Sequence, residues 1–346
     1  MKLAFRLHAQ VRAVACVALL QLCLFGSGAA AGAEVFAGKT IKLIVGFPPG
    51  GSHHLYARLI SEFFRKHIPG EPTVIVTSMP GAGSLTMVNY IYNAAPKDGT
   101  EIGAPAALVP FEAIYKASGV QFDPSRLSWI GSVNKGYSTC SVFHTSKIAT
   151  IQDLQTMQAT FGATGVGSPT FVEARVLNSV LNTKIRLVVG YPGNSDIFSA
   201  MERGEIDGAC GYSLQALMAT RGDMVTSGKL RFLVQNAAER NPSLPNVPLM
   251  VDFAKNESQR DLFKLLAAPH RMDKVFIAPP GLPLDRLTIL RRAFDDTMKD
   301  AEFVSKAKSM HLDVNPSTGE EVEAIFGDIA KISPSVIEEM IKARRE

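Results

Sequence analysis

The sequence predicts an α/β protein in two halves, each a mostly parallel sheet flanked by helices. Three observations predict it. Apolar runs rich in β-branched residues alternate with segments of helical periodicity along nearly the whole chain. Glycine- and proline-rich turns separate them in the order strand, turn, helix, strand, which builds βαβ units. The pattern then starts again near residue 160, in a chain of 346 residues, long enough for about two domains.

In the first half, Ile41 to Phe47 reads as a buried strand because its apolar residues run without polar alternation. The turn Pro48-Pro49-Gly50-Gly51-Ser52 leads to a helix with Leu55, Tyr56, Leu59, Ile60, Phe63 and Phe64 on one stripe. Thr73 to Thr77 is the next strand, followed by Pro80-Gly81-Ala82-Gly83 and a helix through Met87, Val88 and Ile91. Glu101 to Ala106 is a third. In the second half, Thr160 to Thr164 leads through Gly165-Val166-Gly167-Ser168-Pro169 into a helix bearing Val172, Val176, Leu177 and Val180. Thr170 and Glu173 have capping-box spacing at its start, and Pro169 suits a first helical position. Ile185 to Tyr191 is a strand, Pro192-Gly193-Asn194 a turn and Asp196 to Arg203 a helix. Further strands are expected at Ile206 to Tyr212, Leu230 to Val234 and Val275 to Ala278. A helix with Leu287, Leu290, Phe294 and Met298 follows, and a last one with Val322, Ile325, Phe326, Ile329 and Ile332.

The N-terminus carries its own signal. Lys2, Arg6 and Arg12 precede an apolar run from Ala13 to Phe25, and small residues end at Ala31-Gly32-Ala33. A cationic start, a short apolar run and an A-x-A site describe a secretory leader; the run is too short for a spanning helix. Of 36 basic and 32 acidic residues, the leader takes three basic ones, leaving the processed chain at +1. So small a surplus excludes a nucleic-acid footprint. Cys140 and Cys210 remain in a compartment that permits a disulfide. Spacing leaves both arrangements open, one disulfide or two buried thiols.

Open α/β sheets place ligands beyond the carboxyl ends of their strands. Four turns of that kind are rich in glycine and short polar residues: Phe47–His54, Pro80–Ser84, Gly165–Thr170 and Tyr191–Asp196. Free N–H groups at helix starts favour an anion, so two such turns per half, facing across a cleft, suit a small anion. Enzymatic motifs do not appear. Gly81-Ala82-Gly83 begins like a dinucleotide fingerprint but has Thr86 where the third glycine belongs. No phosphate-binding loop, G-x-S-x-G elbow or zinc-ligand spacing is present. His53-His54 stands at a helix start with no carboxylate in the same segment, the pattern of a polar loop.

With these residues laid out, the chain resembles the substrate-binding receptors of tripartite tricarboxylate transporters, the Bug or TctC-like proteins, from about Gly38 to the C-terminal helix. The most specific stretch is Ile44-Val45-Gly46-Phe47-Pro48-Pro49-Gly50-Gly51-Ser52 with Ala57-Arg58. Met79 to Ser84 with Ala95 to Thr100, Gly190-Tyr191-Pro192-Gly193 ahead of Arg203 to Asp207, and Ala278 to Pro283 complete it. The resemblance implies a type II periplasmic-binding-protein fold closing on its ligand like a flytrap. It implies no catalysis, cofactor or metal, and delivery of a di-, tricarboxylate or aromatic acid to a membrane permease by a monomer. Carried over, the ligand-binding positions are Phe47, Gly50, Gly51, Ser52 and His54; Gly81, Ala82 and Gly83; and Ser168, Thr170, Tyr191 and Asp196. The expected organisation is a leader over 1–33, a first domain of 34–138 with 235–346, and a second of 139–234. His54 stands where the family often has an acid, Ser78-Met79 replaces an asparagine-containing pair, and Cys210-Gly211-Tyr212 lacks a common acidic residue. Two other readings share the cleft: a receptor signalling to a membrane sensor, and a secreted hydrolase.

Overall fold

β-branched side chains favour extended backbone, and the runs that carry them form the strands of two sheets. The computed structural model describes residues 35–345; the predicted leader lies outside the described residues. The first sheet holds β1 (Thr40–Val45), β2 (Thr73–Ser78), β3 (Glu101–Ala104), β4 (Ser128–Ser132), β10 (Val275–Ala278) and β11 (Ser317–Thr318), in the order β11-β4-β10-β3-β1-β2. The second holds β5 (Ser138–Phe143), β6 (Ala159–Ala163), β7 (Ile185–Val189), β8 (Gly208–Ser213) and β9 (Leu230–Asn236), in the order β7-β6-β8-β5-β9.

The α/β class and the two halves are as expected, but each sheet is mixed rather than mostly parallel. β1 runs parallel to β2 and β3, and β6 parallel to β7 and β8, because helical crossovers join them. The strands beside the crossings between sheets run the other way: β10 is antiparallel to β3 and β4, and β5 to β8 and β9. The chain leaves the first sheet after Ser132 and re-enters it at Val275. These two crossings lie side by side, with Val133 N–H donating to Lys274 O at 3.0 Å, Asp273 N–H to Asn134 O at 2.9 Å and Gly136 N–H to His270 O at 2.7 Å.

The helix Ser52–His67 buries Tyr56, Leu59, Ile60, Phe63 and Phe64 against the first sheet, while Leu55, expected on the same stripe, is exposed near the helix start. Its last turn carries Arg65, Lys66 and His67, which suits the negative end of the helix dipole. On the other side of the sheet, Trp129 of β4 stacks on Phe326 at 4.7 Å between ring centroids. The expected last helix is two. Gly319–Ile329 ends before Ser333, and Pro334, which cannot continue a helix but starts one well, opens Pro334–Arg345. That C-terminal helix touches both halves. Ser179 Oγ of the helix Pro169–Leu181 donates to Glu339 Oε1 at 2.8 Å, and Arg344 Nη2 donates to Glu112 Oε1 at 2.7 Å.

Candidate functional site

Parallel strands point the same way, so the turns after β1, β2 and β3 collect at one edge of the first sheet. The turns after β1 and β2 touch closely. A Cβ on Gly46 would sit 2.1 Å from Ser84 Cβ, so only glycine fits there. Ser84 is fully buried, and its Oγ accepts the Ala106 N–H at 3.0 Å, tying in the turn after β3. The second turn is left-handed throughout, with φ of 149°, 45°, 63° and 83° at Gly81, Ala82, Gly83 and Ser84. Gly50 also has positive φ, and Gly51 caps the helix Ser52–His67 with no side-chain bond and no acid in the first turn. The N–H groups of Ser52 and His53 therefore have no intrahelical partner, while those of His54 and Leu55 donate to Gly51 O at 3.0 and 3.1 Å.

In the second half the turns after β6 and β7 are joined through Ala163 O, which accepts the N–H groups of Gly190 and Tyr191 at 3.1 and 3.3 Å. The Tyr191 ring lies over β6, 3.2 Å from where a Cβ on Gly162 would stand. Asp196 is exposed in the first turn of the helix Asn194–Glu202, where it complements the helix dipole.

The expected capping box at Thr170 and Glu173 does not form. Helix Pro169–Leu181 is capped at Ser168, whose Oγ donates to Gly165 O at 2.6 Å and lies 2.8 Å from Thr170 Oγ1. Thr170 is buried as the second helical residue, and its Oγ1 accepts the Thr164 N–H at 3.0 Å. Glu173 turns inward instead. At 2% exposure its Oε2 accepts the Gly211 N–H at 3.0 Å and its Oε1 accepts Asn236 Nδ2 at 2.9 Å, with His270 Nε2 3.6 Å away. A Cβ on Gly211 would stand 2.1 Å from Pro169 O, so glycine lets β8 approach the helix start.

The two halves meet at a cavity of about 260 Å³. His53 and Ala106–Leu108 come to it from the first half, Gly167, Pro169 and Glu173 from the second. His270 and Asp273 arrive on the return crossing, and Arg344 on the C-terminal helix. Larger hollows, of about 600 and 510 Å³, are lined without any residue of the four turns. None of the twelve expected ligand-binding residues lines the cavity; their immediate neighbours His53, Gly167 and Pro169 do. Phe47 supports His53, ring centroids 4.5 Å apart, while half-buried His54 lies outside the lining. No residue of the second or fourth turn, with Gly81, Ala82, Gly83, Tyr191 and Asp196, is in its lining.

Burial pushes the His53 imidazole down to about 4; the Lys274 ammonium adds to this and the Asp273 carboxylate opposes it. His53 is therefore neutral near pH 7, and its Nε2 is buried with no hydrogen-bond partner. Glu173, His270, Asp273 and Arg344 were not foreseen. No local pattern marks them, since each reaches the cavity from a different element.

The family model for the tripartite tricarboxylate transporter receptors, TctC, matches residues 56–341. The chain belongs to that family. As a solute-binding receptor of the TctC family it is 27% identical over 271 residues to a UPF0065 protein of Cupriavidus necator, covering 76% of this chain and 79% of the other. It is 26% identical over 312 residues to a UPF0065 protein of Bordetella bronchiseptica, covering 87% and 86%. A TctC solute-binding protein from Polaromonas shares the fold at a TM-score of 0.69 and 17% identity, over 88% of this chain and 98% of that one. MatC from Rhodopseudomonas palustris, solved with bound malate, shares it at 0.55 and 17% identity, over 89% and 99%. An R. palustris protein solved with adipate does so at 0.56 and 16%, over 88% and 97%. Among the described residues of this TctC-family receptor, no helix is long and apolar enough to cross a membrane.

Proposed function

We propose that this TctC-family receptor works in the periplasm, captures a small organic carboxylate between its halves and delivers it to a tripartite tricarboxylate-type permease. The cavity between the halves carries the reading: it joins the start of one helix from each half, at His53 and at Pro169. The bodies that close are residues 34–138 with 235–346, and 139–234. The ligand carboxylate lies against the first two turns, at Phe47, Gly50, Gly51, Ser52, His54, Gly81, Ala82 and Gly83. Ser168, Thr170, Tyr191 and Asp196 form the opposing wall. The uncapped start of helix Ser52–His67 offers backbone N–H groups to an anion, which supports this placement. So do the malate and adipate held by two proteins of the same fold. The receptor acts as a monomer, without catalysis or cofactor.

A thermal-shift screen of the purified protein against mono-, di-, tricarboxylic and aromatic acids tests the reading. An acid at 100 times its Kd stabilises the folded state by about 2.7 kcal/mol. A shift with at least one acid is expected. No shift, in protein shown by mass spectrometry to carry no copurified ligand, would end the carboxylate reading.

A further inference from the structure

The cavity has no unpaired positive charge to offer. Arg344, its one arginine, is bonded to Glu112 at 2.7 Å and stacked 4.3 Å from the Tyr115 ring centroid. Lys274, just outside the lining, is held by Asp273 at 2.6 Å. His270 faces the Glu173 carboxylate, and His53 is neutral near pH 7. Against these stand the carboxylates of Glu173 and Asp273, both in the lining. The rest of the wall is mainly apolar, with Leu108, Val172, Leu266 and Met340 from four different elements.

An ionised carboxylate moved into such a place loses its hydration and finds no unpaired cation in the wall to replace it, a cost that grows steeply with burial. An apolar body gains from the same wall. The uncapped start of helix Ser52–His67, by contrast, suits one carboxylate through its first backbone N–H groups.

We infer that the cavity takes the far end of the ligand, and that this end is uncharged and apolar: the ligand is an aromatic or branched monocarboxylic acid, not a di- or tricarboxylate. The inference rests on the carboxylate reading above and narrows it. The unpartnered ring nitrogen of His53 adds a preference for a polar group on that body, such as a phenolic hydroxyl.

Calorimetric titration of the purified protein with benzoate, 4-hydroxybenzoate, isovalerate, malate, adipate and citrate tests this. The monocarboxylates should bind at least about tenfold more tightly than the other three. Tighter binding of malate, adipate or citrate overturns the inference and leaves the carboxylate reading standing; no binding by any acid removes both. Leu108→Lys and Ala107→Arg, each at a half-buried position, supply the missing cation. In either folded variant the preference should move toward malate or adipate by about tenfold. An unchanged preference in both overturns the inference.

Discussion

Asn236, on the last residue of β9, donates its Nδ2 to Glu173 Oε1 at 2.9 Å, tying the helix after the third turn to the strand from which the chain leaves the second sheet. Both side chains are almost fully buried, and Glu173 Oε2 holds the Gly211 N–H as well. The carboxylate thus satisfies two donors with two oxygens. Glutamine has one acceptor, so Glu173→Gln turns an amide N–H toward one of those donors. We expect a loss of about 1–3 kcal/mol in urea unfolding, with little change in the slope. An unchanged midpoint would mean that Asn236 inverts its amide and gives up its bond to Leu266 O, 3.4 Å away.

Ser52 is the first residue of its helix, and Gly51 before it is extended, at φ −83° and ψ 170°. Proline is at home in both respects, because the first helical N–H has no intrahelical partner and the residue before proline favours extended backbone. Ser52→Pro removes the hydroxyl and that N–H while keeping the helix. Calorimetry should show affinity for the bound acid falling about tenfold, with the melting temperature of the ligand-free protein nearly unchanged. Valine at Gly81 would be a poor probe of the same site: φ is 149° there, and a Cβ would meet Thr86 Oγ1 at 2.5 Å. Retained affinity in folded Ser52→Pro would remove the first turn from the site.

The turns were legible in the sequence because glycine and proline mark them, and the helices between them because Leu59, Phe63 and their neighbours repeat at helical spacing. β4 and β5 were not. Both are fully buried, yet Ser128, Gly131, Ser132, Ser138, Thr139 and Ser141 break any apolar run. The mixed sheets follow from the same gap, since β5 and the crossing after β4 set the antiparallel pairs. At the site the limit was one of rotation and distance. Adjacent helical residues point about 100° apart, so choosing between His53 and His54 requires the helix start, which lies four residues before the buried stripe begins at Tyr56. Thr170 and Glu173 matched a local motif, but long-range partners, Thr164 for one and Asn236 for the other, claimed both.

His53 makes stability depend on pH with a definite sign. Its imidazole titrates at about 4 in the folded protein against 6.5 when unperturbed, because burial and Lys274 disfavour the cation. Between those values the unfolded chain holds the extra proton, so stability rises with pH there and falls on acidification from 6.5 toward 4. Below about 4 the contribution is constant. His53→Gln, neutral at every pH, should lose this slope. The wild-type stability minus that of the variant should drop by about 3 kcal/mol between pH 7 and pH 4 in urea unfolding. A difference that is flat across the window would mean that His53 is open to water.

Cys140 and Cys210 form a disulfide between the antiparallel neighbours β5 and β8, settling an arrangement that spacing alone left open. Both residues are fully buried, and the bond spans 70 residues of chain. The third and fourth turns, with Ser168, Thr170, Tyr191 and Asp196, lie inside that loop. Cross-linking restricts the unfolded chain, and a loop of this length corresponds to about 4 kcal/mol on the chain-entropy account. Replacing both cysteines with alanine should lower the unfolding free energy measured in urea by an amount of that order. Because the bond constrains the unfolded chain more than it shapes the folded turns, affinity measured well below the transition should stay within about threefold. A large loss of affinity in the folded double variant would show that the bond also holds the third and fourth turns in place.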